Sequence, residues 1–260
     1  NTINIINNNL KNNNIKKLED LEQLEDLEQL EQLEDLKYNN NDINFKIINL
    51  KKAVERKDFM KLQCDNIGLN YSFLEAFDSL TYTFQEKDKF YLQNIERYFF
   101  EEKKGAICTI LSHIEAVKEF YKSDNDYIVI CEDDIVFTNI NTQNIIQKII
   151  KNINLKETGI IYLGLSKLEE PATQQIFNID ERYNLYICDK WMHQGTIAYL
   201  ITKNIARTIL QKYHQGLIKN PIDHFYLTNI KNCYIIYPPL IIHNNIGKSS
   251  IEERGGQSYH

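Results

Sequence analysis

The chain has 260 residues and a mass of 30.8 kDa, which is enough for one large α/β domain with a full core, alone or with an extension. Hydrophobic residues make up 43% and charged residues 25% of the chain, as in ordinary soluble globular proteins. The net charge of −6 argues against a general binder of phosphate backbones, so no nucleic-acid partner is expected.

The cysteine pattern and the lack of long apolar runs indicate the cellular compartment. The five cysteines are an odd number, lie far apart and include no Cys-x-x-Cys pair, which argues against a disulfide framework and a structural zinc site. The sequence has no apolar run of about 18 residues and no basic segment followed by an apolar one, so neither a transmembrane segment nor a signal peptide is predicted. These features predict a cytoplasmic protein with reduced thiols.

Residues 1–44 are predicted to form a low-complexity extension. Residues 1–17 are rich in Asn and lack apolar periodicity, which predicts disorder. Leucine then recurs at every third position from Leu18 to Leu36. On a helix this repeat drifts around the axis by about 60° per step and does not hold one face. Residues 1–45 contain four Lys and ten Asp or Glu, whereas residues 46–260 are neutral. The repeat is interpreted either as an acidic helix or stalk, or as a helix that binds a partner.

From residue 45 onward, predicted strands alternate with predicted helices. Apolar periodicity predicts strands at 45–50, 71–77, 127–131, 135–137, 160–163, 196–201 and 234–237. It predicts helices at 54–66, 87–104, 105–121, 142–154 and 203–213. This alternation predicts one α/β domain over residues 45–260, with a mostly parallel sheet flanked by helices. Such sheets bind ligands at the carboxyl ends of their strands.

Three adjacent carboxylates, Glu132, Asp133 and Asp134, follow the most apolar strand of the sequence. Adjacent carboxylates repel one another, so a fold that gathers them beside a buried strand needs a compensating cation. Divalent ions such as Mg²⁺ and Mn²⁺ prefer oxygen ligands. Strand alternation predicts Glu132 and Asp134 on one face and Asp133 on the other. The alternative is a solvated acidic turn without a ligand.

Further candidate residues lie on other predicted elements. His113 lies beside the apolar stripe of a helix and is either a packed residue or a substrate contact. Asp223 follows Pro221 and is either a helix cap or a general base. His243 follows the last strand and is either a polar strand-end residue or a third metal ligand. The segment 189–195, which contains Trp191 and ends at Gly195, mixes aromatic and polar residues and is either a sugar-binding loop or the place of a partly buried structural Trp.

Motifs of several common enzyme classes are absent from the sequence. No phosphate-binding P-loop, GxGxxG, GxSxG or HExxH pattern occurs. This argues against kinases, dinucleotide-dependent enzymes, serine hydrolases and zinc proteases of the usual kinds.

Seven segments, taken in order over residues 45–251, resemble the motifs of glycosyltransferase family 25, which includes lipopolysaccharide-type and collagen hydroxylysine galactosyltransferases. The segments are Ile47 to Leu50 with Arg56, Phe73 to Asp78, Gly105 to His113, Tyr127 to Phe137, Gly195 to Ile201, Pro221 to Asp223, and Pro239 to Ile251. Ala106 stands where the family usually has Glu, and His243 where it often has Gln.

The resemblance implies a GT-A-like, Rossmann-type fold and inverting transfer of galactose or glucose from a UDP-sugar to a glycan or a hydroxylated protein, usually with Mn²⁺ or Mg²⁺. It implies that Asp223 is the catalytic base. The implied metal ligands are Glu132, Asp134 and His243. The implied donor-binding residues are Asn49, Leu50, Arg56, Asp78, His113, Asp133 and Gly195.

Two other functions fit parts of the sequence. A metal-dependent phosphoesterase could use the same carboxylates, but it would normally need a second cluster of His and Asp ligands, and the six histidines are dispersed. The non-enzymatic alternative is a catalytically inactive, transferase-like binding module that is recruited through the Leu repeat.

Overall fold

The computed structural model describes residues 43–84, 88, 100–153, 159–165, 171, 173–188, 195, 197–218 and 220–244. The predicted extension over 1–44 lies outside these residues except for Ile43 and Asn44. The described helices are α1 (Val54–Asn66), α2 (Phe100–Lys122), α3 (Thr142–Asn152), α4 (Lys203–His214) and α5 (Ile222–Asn229). The described strands are β1 (Asn44–Asn49), β2 (Asn70–Glu75), β3 (Tyr127–Glu132), β4 (Ile135–Phe137), β5 (Ile161–Leu165), β6 (Gln175–Asn178), β7 (Asn184–Ile187), β8 (Ala198–Thr202), β9 (Tyr234–Tyr237) and β10 (Ile241–His243).

The described strands join into one sheet in the order β2-β1-β3-β8-β5-β9-β7-β6, and β10 pairs with both β4 and β5. Strands β1, β2, β3, β5, β6, β9 and β10 run in one direction. Strand β8 runs antiparallel between β3 and β5, and β4 and β7 also run against the majority. The predicted class, a mostly parallel α/β sheet flanked by helices, is confirmed.

Helices cover both faces of the sheet and produce two apolar cores. Helices α2, α4 and α5 pack on one face, where β3 contributes Ile128 and Ile130. Helices α1 and α3 pack on the other face, where β3 contributes Val129 and Cys131. Because successive side chains of a strand point to opposite faces, a strand covered on both sides is apolar at every position. This explains the uninterrupted apolar run of β3.

The carboxyl ends of β1 and β3 meet at the same edge of the sheet. Their parallel register places Ile48 beside Glu132, so the residues that follow, Asn49 and Asp133, are neighbours. After β1 the chain turns tightly, with the Ala53 N–H donating to the Leu50 carbonyl at 2.8 Å, and α1 begins at once. The sheet thereby gathers the polar ends of two strands and the first turn of a helix.

A helix boundary and several short elements differ from the sequence prediction. Helix α2 runs unbroken through Gly105, where the sequence predicts a boundary between two helices. A glycine inside a helix reduces stability by only about 1 kcal/mol relative to alanine, and the buried stripe of α2 offsets that loss. Strands β6, β7 and β10 and the eight-residue helix α5 were not predicted, although the equally short strands β4 and β9 were. In the described part of the chain, no helix is long and apolar enough to cross a bilayer.

Two glycines provide a matched test of the packing. A Cβ on Gly164 in β5 would collide with the backbone oxygen of Ile241 and lie 2.9 Å from the Ile197 side chain, whereas a Cβ on Gly105 would meet nothing within 4 Å. We expect Gly164→Ala to lower the free energy of unfolding by about 1–3 kcal/mol through overpacking. Gly105→Ala should raise it by up to about 1 kcal/mol. Urea unfolding followed by circular dichroism measures both, and equal effects would contradict the close β5–β10 approach.

Candidate functional site

Asp133 is buried and held by two donors from the β1–α1 segment. The Asn49 side-chain amide donates to Asp133 Oδ2 at 2.6 Å and to the Ala53 carbonyl at 3.2 Å. The Arg56 guanidinium lies 3.3 Å from the same carboxylate oxygen. Burial raises the pKa of Asp133, while Arg56 and the Asn49 hydrogen bond lower it and offset part of that shift. Asp133 therefore ties the end of β3 to the first turn of α1.

Asp134 lies between a guanidinium and an imidazole. Its Oδ2 is 3.8 Å from Arg56 Nη1 and 3.5 Å from His243 Nε2. The antiparallel pairing of Ile135 with His243 sets this position, and the Asn244 N–H donates to the Asp134 carbonyl at 2.7 Å. Burial, followed by the charge of Glu132, raises the pKa of Asp134 to about 6. Its Oδ1 is buried and accepts no hydrogen bond from the described residues.

Glu132, the last residue of β3, faces helix α2. Its Oε1 lies 3.6 Å from His113 Nε2, and its backbone N–H donates to the Ile197 carbonyl at 2.9 Å. Asp133 and Asp134 share Arg56 instead. Asp133 nevertheless lines the same cleft as Glu132 and Asp134, so its predicted placement on the opposite face is wrong. Glu132 and Asp134 do lie near each other, since the charge of Glu132 raises the pKa of Asp134. Strand alternation stops at Glu132, because the chain bends at the next two residues.

The three carboxylates line one open cleft. Of the predicted site residues, Leu50, Arg56 and His113 also line it. The remaining described residues of its wall come from the ends of β1 and β2 and from α2. These are Ile48, Ala76, Phe77, Ser79, Gly105, Cys108, Thr109 and Ser112. The cleft therefore opens between α2 and the carboxyl ends of two parallel strands.

Three predicted site residues lie near this cleft without lining it. Asn49 is buried and reaches it only through Asp133. His243 contacts Asp134. Asp78 lines an adjacent cavity, which shares Ala76 and Phe77 with the cleft. There Asp78 forms a 2.7 Å ion pair with Lys52.

Asp223 lies next to Gly195. Asp223 lies in the first turn of α5, and its Oδ2 accepts a hydrogen bond from the Gly195 N–H at 3.1 Å. Gly195 has a φ of 99°, a conformation that favours glycine. Neither residue belongs to the described lining of the acidic cleft. Residues 189–194 of the predicted sugar-binding loop lie outside the described residues.

Within the described residues, no group of three or more His, Cys, Asp or Glu side chains is arranged to hold a metal ion. Asp134 and His243 are the adjacent pair from the predicted ligand set, and Glu132 faces His113. The metal assignment to Glu132, Asp134 and His243 stays a prediction.

Several site residues were not singled out from the sequence. Lys52 pairs with Asp78, and the Ser112 hydroxyl accepts from the Phe77 N–H at 3.0 Å while donating to the Cys108 carbonyl at 2.7 Å. Tyr199 is buried against His113. The position of Ser112 beside His113 was the available signal for a polar stretch of α2. No local pattern indicates the partners of Lys52 or Tyr199, because these contacts join distant segments.

The fold and this acidic, strand-end cleft define an α/β protein with a candidate ligand site at a sheet edge. The profile of a family described as "Glycosyltransferase family 25 (LPS biosynthesis protein)" matches residues 42–226, more than half of the chain. The chain belongs to glycosyltransferase family 25, which confirms the resemblance found in the sequence.

Proteins similar to this chain include a relative and two solved structures. A "Glycosyltransferase 25 family member" of Drosophila melanogaster is 28% identical over a 189-residue alignment that covers 69% of this chain but only 29% of that protein. The crystal structure of a glycosyltransferase involved in the glycosylation of the major capsid of PBCV-1 has a TM-score of 0.42 at 10% identity, covering 82% of this chain and 98% of its own. The inositol-1-phosphate CTP transferase from T. maritima has a TM-score of 0.35 at 10% identity, covering 81% and 74%.

The raised pKa of Asp134 predicts that the free energy of unfolding depends on pH. A pKa of about 6 in the folded chain, against an ordinary value of 3.8, means that ionised Asp134 destabilises the fold above pH 6. The free energy of unfolding that is lost through ionisation of Asp134 is recovered as the pH falls from about 7 to about 4, because the folded state binds the proton more tightly than the unfolded state. We expect Asp134→Asn to raise the free energy of unfolding by about 1–3 kcal/mol at pH 7.5 and by much less at pH 4.5.

Urea unfolding of the metal-free protein at the two pH values measures this difference. Asp58→Asn, on the exposed face of α1, removes one surface carboxylate and serves as the control. A gain for Asp134→Asn that is equal at both pH values would contradict the raised pKa.

Proposed function

We propose that this chain is a metal-dependent, inverting glycosyltransferase that moves galactose or glucose from a UDP-sugar to a hydroxyl of a glycan or of a hydroxylated protein side chain. Family membership supports a glycosyltransferase. The single observation that carries the finer proposal is the buried Oδ1 of Asp134, which has no hydrogen-bond partner in the described chain and belongs to a cleft wall at the carboxyl ends of β1 and β3. Buried carboxylate oxygens are normally satisfied, so a ligand group is expected there.

The donor set at Asp134 fits Mn²⁺ or Mg²⁺. Asp134 offers a carboxylate oxygen without a partner, His243 offers an imidazole beside it, and Glu132 lines the same cleft. Magnesium in particular is often bound by one or two carboxylates, together with water and substrate phosphates, so a complete cage of protein ligands is not required. When bound, such an ion would stabilise the negative charge that develops on the leaving diphosphate.

The remaining cleft residues would bind and orient the donor. Asp133 is occupied by Asn49 and Arg56, so its role is to fix the Arg56 guanidinium at the cleft wall, where a cation favours diphosphate. Leu50 and His113 line the cleft, and Asp78 lines the adjacent cavity, where it would contact the nucleotide part of the donor. We place this transferase domain at residues 45–260.

Asp223 is the proposed general base. The Gly195 N–H holds one of its oxygens, which orients the carboxylate. In the proposed step, the acceptor hydroxyl gives its proton to Asp223 as its oxygen bonds to the anomeric carbon. The bond from that carbon to the diphosphate breaks at the same time, and UDP leaves. Attack from the face opposite UDP inverts the anomeric configuration.

The first test removes the Asp134 carboxylate. UDP release from UDP-galactose or UDP-glucose is measured with Mn²⁺ and an acceptor hydroxyl compound, and again with a chelator. We expect the chelator to abolish turnover and Asp134→Ala to lower it by more than about 100-fold, because the leaving charge loses its stabilisation. Asp58→Asn is the control and should keep full activity. Full, metal-dependent turnover of Asp134→Ala would refute this role.

The second test separates catalysis from donor binding at Asp223. Asp223→Asn preserves size and can still accept a hydrogen bond from the Gly195 N–H, but it cannot take a proton. We expect kcat to fall by about 10²–10⁴-fold, while the calorimetric affinity for the UDP-sugar with Mn²⁺ stays the same. If donor binding disappears instead, Asp223 belongs to the binding pocket and is not the base.

The same measurements distinguish the transferase from an inactive binding module. A wild-type chain that binds neither UDP-galactose nor UDP-glucose in the presence of Mn²⁺, and that releases no UDP from either, would overturn the proposed function.

A further inference from the structure

Three buried side chains form a hydrogen-bonded row behind the acidic cleft. His113 on α2, Tyr199 on β8 and Tyr226 on α5 are each no more than 1% exposed. The Tyr199 hydroxyl lies 2.9 Å from His113 Nδ1 and 3.0 Å from the Tyr226 hydroxyl. The His113 and Tyr199 rings are also stacked, with centroids 5.7 Å apart. The row therefore fixes the imidazole at its Nδ1 end.

The other end of the imidazole faces the cleft. His113 Nε2 is buried and has no hydrogen-bond partner in the described chain, although Glu132 Oε1 lies 3.6 Å away. This separation is longer than a hydrogen bond, and a small movement of the half-exposed glutamate would close it. His113 and Glu132 both line the cleft. The unsatisfied nitrogen is therefore directed towards a carboxylate at the candidate site.

The position of the protons in this row can be derived from the contacts. A neutral imidazole has one nitrogen that donates and one that accepts. If Nε2 were the acceptor, its lone pair would face the Glu132 carboxylate, and two acceptors would oppose each other. If Nε2 carries the proton, it faces the carboxylate favourably, and Nδ1 accepts from the Tyr199 hydroxyl. Tyr199 then accepts from Tyr226.

Both phenols can serve as donors in this arrangement. Burial raises the pKa of Tyr199 and of Tyr226 well above the usual value, so both hydroxyls keep their protons at neutral pH. Each hydroxyl can donate once and accept as well. The Tyr226 hydroxyl can therefore donate to the Tyr199 hydroxyl, and the Tyr199 hydroxyl can donate to His113 Nδ1.

We propose that Tyr226 and Tyr199 are positioning residues that hold His113 as the Nε2–H tautomer, so that His113 donates towards Glu132 and fixes the orientation of that carboxylate in the cleft. One oxygen of Glu132 faces the imidazole, and its other oxygen is left for the donor substrate and its metal ion. This consequence for catalysis rests on the proposed function, whereas the tautomer does not. Outer partners that orient a site carboxylate or imidazole commonly affect activity by about 10–100-fold.

The first test observes the tautomer directly. Long-range ¹H–¹⁵N correlation spectra of the uniformly ¹⁵N-labelled full chain report which imidazole nitrogen carries the proton, and His113→Gln assigns the His113 signals by their loss. We expect neutral His113 with the proton on Nε2, and a change in its Nδ1 signal in Tyr199→Phe. A proton on Nδ1, whether in the other neutral tautomer or in the imidazolium, would overturn the proposal.

The second test measures the effect on the reaction. Tyr199→Phe and Tyr226→Phe remove one hydroxyl and keep the ring, and we expect kcat/KM for UDP release to fall by about 10-fold or more in Tyr199→Phe. The smaller loss is expected in Tyr226→Phe, because Tyr226 acts through Tyr199. Tyr183→Phe is the matched control: Tyr183 is equally buried, accepts one hydrogen bond from Asn139 at 3.1 Å and packs in the core on the opposite face of the sheet.

The outcomes separate this inference from the proposed function. If the wild type releases no UDP while His113 is the Nε2–H tautomer, the proposed function fails and the tautomer assignment stands. If the wild type is active and Tyr199→Phe is as active as Tyr183→Phe, the positioning role is overturned. Near-UV circular dichroism checks that the variants keep their packing. If Tyr199→Phe misfolds, Tyr226→Phe is compared with Tyr183→Phe instead. Lower activity in Tyr226→Phe supports the positioning role, and equal activity overturns it.

Discussion

The buried contact of Asn49 with Asp133, with Arg56 beside it, is the interaction on which the acidic cleft depends. Two carboxylates about 4 Å apart repel by about 4 kcal/mol at an effective dielectric constant near 20. The Asn49 amide and the Arg56 guanidinium offset part of that repulsion at the end of β3. The contact exists only because β1 and β3 are paired in parallel. Strand pairing and charge compensation therefore stabilise each other.

Much of the fold follows from local periodicity, and the exceptions have a common physical origin. Strands β1, β3 and β9 and helices α1, α3 and α4 lie within two residues of their predicted bounds. The antiparallel direction of β8 could not be predicted, because all five of its residues are buried and a strand covered on both faces has the same apolar pattern in either direction. Strand β6 is largely exposed and offers no such pattern.

The candidate site shows the same division between local and distant information. The carboxylates of β3 follow directly from the end of an apolar strand, and Asp223 was a candidate from its position after Pro221. Arg56 came from the resemblance to family motifs. The direction of Glu132 could not be predicted, since it depends on where α2 crosses the sheet and on the bend after β3. The row from His113 to Tyr226 joins three elements that are far apart in sequence. Contacts of this kind have no local signal.

The ladder between β4 and β10 determines when the site can be completed during protein synthesis. Asp134 emerges from the ribosome before His243, and at ordinary translation rates the intervening chain takes roughly ten seconds to make. During that interval Asp134 has no imidazole beside it, and its backbone carbonyl lacks the N–H that Asn244 later provides. A nascent chain that stops short of β10 retains the carboxylates without the strand that confines them. Strand β10 thus makes completion of the site depend on a segment that is synthesised well after the carboxylates.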